Sequence, residues 1–252
     1  MTVADTHPLA LLVHGAFAES ASWNGVIAEL NARGIDAVAV ANPLRSLSGD
    51  AAYVRDVVVS AGRPVVLVGH SYGGLVISQA AAGLENVVAL VYVNAFVPEH
   101  GQNAFDLSTE FPGSTLPDTL EPRELADGTV ELSIALPKFR AQFAADVPVE
   151  QAALMARTQR PVTQAALTEP VAAEVPAWKT IPSWCVFGNA DLNIPVEEHR
   201  AGARRAGARG IREIAGASHA ISVSQPAAVA EVIAEAIAAV EAAREATGAA
   251  HA

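Results

Sequence analysis

Six short apolar runs recur along the 252-residue chain, at residues 9–13, 36–41, 64–69, 87–94, 183–188 and 211–215. Most are continuous rather than alternating, the pattern of strands buried on both faces of a parallel sheet. Between them, residues 22–33, 50–61, 73–83 and 196–207 carry apolar side chains at three- and four-residue steps, and residues 225–244 form the longest helical pattern. Strand and helix in alternation give an open, doubly wound α/β sheet.

The alternation stops over residues 97–179, which hold Pro98, Pro112, Pro117, Pro122, Pro137 and Pro148 together with short helical pieces at 138–145 and 148–157. So long a departure between two sheet strands reads as a helical lid rather than a loop, with residues 164–179 leading back to the sheet. Residues 1–96 and 180–252 are then the core and 97–179 the insertion. No internal repeat interrupts this plan, and the alanine-rich stretch 236–252 is expected to fray at its end.

Composition excludes several kinds of partner. Sixteen Lys and Arg against 27 Asp and Glu give a net charge of −11, without the clustered cations that nucleic acid requires. The basic group Arg200, Arg204, Arg205, Arg209 and Arg212 reads as a solvated helix face. The single cysteine, Cys185, lies within the apolar run 184–187, so no disulfide forms within the chain and a buried, inert thiol is expected. The start of the chain lacks a basic n-region, and every apolar stretch is broken before about 18 residues, which predicts a soluble, cytoplasmic protein with no membrane partner. Metal-ligand, dinucleotide and P-loop signatures are missing, so no cofactor and no metal are expected. Oligomeric state, including a homodimer, is left open.

The run 64–78, PVVLVGHSYGGLVIS, sets a serine between glycines where a strand ends and a helix begins. Working sites in open parallel sheets lie beyond the carboxyl ends of the strands, and Gly69-His70-Ser71-Tyr72-Gly73 supplies G-x-S-x-G there. The glycines permit a sharp turn that would expose Ser71 Oγ at its tip. A serine hydroxyl needs a base, and the base needs an orienting acid. His219 follows the last predicted strand, and Asp191 follows the strand before it; the chain order serine, acid, histidine is the one this elbow uses. Asn94 occupies another strand end but cannot carry negative charge, and Glu197 and Glu198 fall one helical turn too late. Two backbone N–H groups would form an oxyanion hole: that of Tyr72, after the nucleophile, and that of Ala16 in His14-Gly15-Ala16-Phe17, with Phe17 as the alternative. His70 and His14 read as structural, and His7, His100, His199 and His251 as solvated. Phe17, Asn94, Phe105, Phe139 and Phe143 are candidates for lining a substrate pocket.

At these residues the chain resembles the α/β-hydrolase superfamily. The segments LLVHGAF, VGHSYGGLV, VYVNAFVP, GNADLNIP and GASHAI are similar in particular to the small esterase branch that includes plant methylesterases and hydroxynitrile lyases. The resemblance implies an α/β-hydrolase fold of about six mainly parallel strands with a small helical lid. It also implies Ser71 as nucleophile, His219 as base, Asp191 as its orienter, and Ala16 and Tyr72 as oxyanion donors. Lyases of this branch place a lysine after the catalytic histidine and a threonine after the first-strand histidine, where this chain has Ala220 and Gly15. The expectation is therefore a serine carboxylesterase acting on small to medium, largely apolar esters through an acyl-enzyme. The motifs do not separate this from lactone opening, thioester cleavage, carbon–carbon bond hydrolysis or cyanohydrin cleavage, nor from a small-molecule receptor on the same fold.

Overall fold

The structure is a computed structural model and describes residues 7–249. His251 and the ends of the chain lie outside the described residues. Five consecutive elements build the first half of the sheet layer: β1 (Leu9–Val13), α1 (Asn24–Asn31), β2 (Ala37–Val40), α2 (Leu47–Ser60) and β3 (Val65–His70). They are followed by α3 (Gly73–Ala80) and β4 (Val87–Val93). An insertion then carries α4 (Ala104–Glu110), β5 (Leu120–Glu124), β6 (Val130–Ile134), α5 (Leu136–Phe143), α6 (Val149–Thr158), β7 (Val162–Thr163) and α7 (Gln164–Thr168). The chain returns through β8 (Ser183–Gly188), α8 (Val196–Arg205), β9 (Gly210–Ile214), α9 (Ile221–Ser224) and α10 (Pro226–Ala249).

The main sheet has the order β2-β1-β3-β4-β8-β9, and every neighbouring pair is parallel. Side chains along a strand alternate between its faces, and the two halves of the core divide accordingly. Leu11, Leu67, Tyr92 and Phe187 face the layer that holds α2, α3 and the insertion, whereas Leu12, Val68, Val91 and Val186 face α1 and α10. The central strands need apolar residues on both faces, which is why their sequence runs are unbroken. The edge strands escape that need: Val38 on β2 and Ile211 on β9 are about half exposed. Cys185 is buried and unpaired on β8, where burial pushes its thiol up to about 12.

The insertion contains the expected helices and, in addition, a three-stranded antiparallel sheet β5-β6-β7. Its alternating pattern is short and rich in charge (Leu120-Glu121-Pro122-Arg123-Glu124), so it carries little strand signal of its own. The expected solvated basic face is only partly one. Arg200 bridges Glu197 and Glu213, Arg212 pairs with Glu231 on α10, and Arg205 lies partly buried with Nη1 donating to Val97 O. Arg209 and Arg212 fall outside α8. Among the described residues, no helix is long and apolar enough to cross a membrane.

Candidate active site

Ser71 occupies the turn between β3 and α3 with φ 56°, in the left-handed region that a residue bearing a Cβ adopts only under strain. The surrounding backbone is packed too closely for larger neighbours. A Cβ on Gly69 would stand 2.6 Å from Gly73 O, and one on Gly73 2.7 Å from Val13 O. The Ser71 N–H donates to Asn94 O at 3.2 Å, so the elbow is pinned to the end of β4. The residue is buried, at 7 % exposure.

The turn after β1 lies directly against this elbow, since a Cβ on Gly15 would come within 2.6 Å of Ser71 Cβ and 2.7 Å of His70 O. Ala16, Phe17 and Tyr72 line the same cavity as Ser71, and their backbone N–H groups donate to no other described residue. Tyr72 is anchored from behind by its phenol, which donates to Asp50 Oδ2 at 2.9 Å. His14 braces the same turn: Asn42 N–H donates to its Nε2 at 3.1 Å, and its Nδ1 contacts Gly15 O at 3.0 Å. Burial lowers its pKa, which suits this neutral, fully engaged ring.

Asp191 and His219, on the turns after β8 and β9, meet through a 2.7 Å bond from His219 Nδ1 to Asp191 Oδ2, with both side chains inaccessible. The other carboxylate oxygen accepts the N–H groups of Asn193 at 2.8 Å and Ile194 at 3.0 Å. Burial alone would raise the Asp191 pKa, but the neighbouring imidazoles and their hydrogen bonds outweigh it and hold the carboxyl well below its usual range. An ionised acceptor at Oδ2 requires the His219 proton on Nδ1, which leaves Nε2 with a free lone pair. That nitrogen is buried and makes no hydrogen bond, so none joins it to Ser71 Oγ. The ring is nonetheless held beside the elbow. It lies 4.7 Å between centroids from the ring of His70, whose Nε2 donates to His219 O at 2.9 Å. Burial, reinforced by repulsion from His219, drives His70 down to about 3, so it stays neutral and structural.

Several sequence expectations are corrected here. His199 is not solvated; it is 3 % exposed, stacks on Phe187, and places Nε2 3.1 Å from Asp191 Oδ2. Asn94 does not line a pocket. It is fully buried, with Nδ2 donating to Ser218 O and His219 O at 2.9 and 3.1 Å and Oδ1 accepting Gly188 N–H at 2.7 Å. Phe139 and Phe143 are also absent from the cavity wall: they stack on each other, and Phe143 sets its edge against His219 at 4.8 Å, sealing the imidazole from the insertion side. Phe105 does line the cavity, while remaining 52 % exposed at its mouth.

The cavity above Ser71 measures about 350 Å³. The core contributes Ala16, Phe17, Phe96 and Ile194, and the insertion adds four leucines that the sequence did not single out, Leu116, Leu120, Leu132 and Leu167. No charged side chain lines it; its polar groups are Ser71, Tyr72, Ser108, Gln164, Thr168 and Asn193. Among the described residues, no group of three or more His, Cys, Asp or Glu side chains could hold a metal ion.

Residues 10–232 match the model of a family described as the alpha/beta hydrolase family. The chain is 29% identical over 250 residues to the esterase PIR7B of Oryza sativa subsp. japonica, covering 88% of this chain and 93% of that protein. It is also 29% identical over 214 residues to the alpha/beta hydrolase nvfD of Aspergillus novofumigatus, covering 75% of this chain and 80% of that one. Among solved structures, polyneuridine aldehyde esterase superposes with a TM-score of 0.77 at 21% identity, over 91% of this chain and 99% of that one.

Proposed function

The chain belongs to the α/β-hydrolase family, and on that premise we propose that it is a serine carboxylesterase of small to medium, largely apolar esters, in the branch related to plant methylesterases. The observation that carries this reading is the polarity of the His219 ring: Nδ1–H is committed to an ionised Asp191, and Nε2 is left unbonded in a buried site beside the Ser71 elbow.

Ser71 Oγ attacks the ester carbonyl while His219 Nε2 accepts its proton; the Oγ–Nε2 contact closes as substrate seats, since such bonds are often loose in unliganded enzymes. The N–H groups of Tyr72 and Ala16 receive the oxyanion, each donor contributing about 2.7–4 kcal/mol to the transition state. His219 then protonates the departing alcohol, and water, activated by the same nitrogen, releases the acid from the acyl-enzyme. The uncharged walls of the cavity favour an apolar acyl or alcohol group over a charged one.

The test is hydrolysis of p-nitrophenyl acetate and butyrate by the parent and by Ser71→Ala, with a fluorophosphonate adduct located by mass spectrometry. We expect the label on Ser71 and loss of turnover in the variant. A variant as fast as the parent refutes the reading. A parallel panel of lactones and thioesters, which the same groups could also cleave, sets the reaction preference.

A further inference from the structure

We propose that His199 is a positioning residue for the Asp191–His219 pair, donating its Nε2–H to the carboxylate oxygen that also receives His219 Nδ1–H and so setting the direction and strength of that bond. The proposal rests on the hydrolytic reading given above, in which Asp191 orients the base.

The geometry leaves His199 little else to do. Asp191 has four donors, two on each oxygen: Asn193 and Ile194 N–H on Oδ1, and His219 at 2.7 Å and His199 at 3.1 Å on Oδ2. The His199 side chain is 1% exposed, and its ring lies against Phe187 of β8 at 5.3 Å between centroids and 18° between planes. The imidazole plane is therefore fixed by the strand that leads into the Asp191 turn. The two N–H groups of the turn fix Oδ1, and His199 fixes Oδ2, so the carboxylate cannot rotate away from His219. A carboxylate shared among four donors also has less charge to concentrate on any one of them. The charged and titratable groups facing His199 are Asp191 and His219, from the turns after β8 and β9, and Glu213 on β9. The Glu213 carboxylate is itself engaged by Arg200 and Asn189.

A purely architectural histidine would alter stability alone; a positioning one alters the chemistry of its neighbour. His199→Phe keeps a ring for Phe187 but has no donor, and His199→Gln restores an N–H at comparable reach. On p-nitrophenyl butyrate we expect kcat of His199→Phe to fall roughly 10-fold with KM within about twofold, the scale on which partners that orient a working imidazole act. With one donor lost, the remaining charge on Asp191 grips the His219 proton harder, so the acid limb of kcat/KM moves to higher pH. His199→Gln returns both kcat and the limb toward the parent. Unchanged kcat and limb in His199→Phe, or no rescue by Gln in a folded variant, overturns the proposal.

Nitrogen-15 NMR of the parent gives a second readout that needs neither activity nor a variant. His199 must be protonated at Nε2, and a proton on Nδ1 alone overturns the proposal. Should the parent cleave no ester, the hydrolytic reading fails by itself. The downfield Nδ1–H resonance of His219 still decides: movement in His199→Phe and return in His199→Gln support the positioning role, and an unmoved resonance refutes it.

Discussion

Replacing Glu198 by Gln should stabilise the protein at alkaline pH and leave it unchanged in mild acid. Glu198 sits on α8 at 1% exposure with neither carboxylate oxygen hydrogen-bonded. Its nearest cation, Arg205, is 4.0 Å away and directs the same Nη1 to Val97 O at 2.6 Å. Burial pushes the Glu198 carboxyl up to about 7 from an ordinary 4.5; Arg205 pulls it down only in part, and Glu110 adds to the rise. Between those two values the folded chain binds a proton that the unfolded chain has released, so this group's contribution falls as pH rises from 4.5 to 7 and is constant above. At roughly 1.4 kcal/mol per pH unit, keeping the charged form buried costs about 3 kcal/mol at pH 8.5. Glutamine has the size of the neutral acid and no charge to bury. Glu198→Gln should therefore match the parent near pH 4.5 and exceed it by about 3 kcal/mol at pH 8.5, roughly 6–12 °C in Tm for a chain of this size. Urea or thermal unfolding across that range measures it. A stability difference that is the same at both pH values would refute the reasoning.

Two further substitutions address the site directly. Asp191→Asn keeps the shape of the carboxylate but no longer fixes the His219 tautomer, so kcat on p-nitrophenyl butyrate should drop by about 10⁴; a loss smaller than tenfold would contradict the assigned role. Gly15→Ala forces a Cβ to within 2.6 Å of Ser71 Cβ, and displacement of Ser71 should cost about 10²-fold in kcat. Unaltered turnover there would show that the two turns have more slack than their packing indicates.

The sheet was legible because its signal is local: buried parallel strands are continuous apolar runs, and β1 and β8 fall on the residues the pattern marks. The elbow was legible for the same reason, its glycines and strand–helix context being contiguous. Helix α8 was only half legible. Its buried stripe is Glu198, His199, Gly202 and Ala203, at helical spacing, but two of the four are polar and so resemble a solvated face. The small pair at 202 and 203 is the signal that could have exposed it, since a Cβ on Gly202 would already press on Val97 at 3.1 Å. Asn94, Phe139 and Phe143 escaped because which way a side chain faces at a strand end, or within an insertion, depends on partners far along the chain. Asn94 turns toward Ser218 and His219, more than 120 residues away. The cavity leucines on the insertion depend on the β5-β6-β7 sheet, whose short charged strands give no periodicity to read.

Asn94 has a consequence for how such a molecule can change. Its backbone oxygen takes the N–H of Ser71, its side-chain oxygen that of Gly188, and its amide group reaches the carbonyls of Ser218 and His219. One residue thus rivets the turn at Ser71, the end of β8 and the turn at Ser218 and His219 to a single strand end, apart from the insertion residues that wall the cavity. The insertion can be recut to admit a different guest while the rivet holds, and the repertoire of this scaffold can widen without re-solving its chemistry.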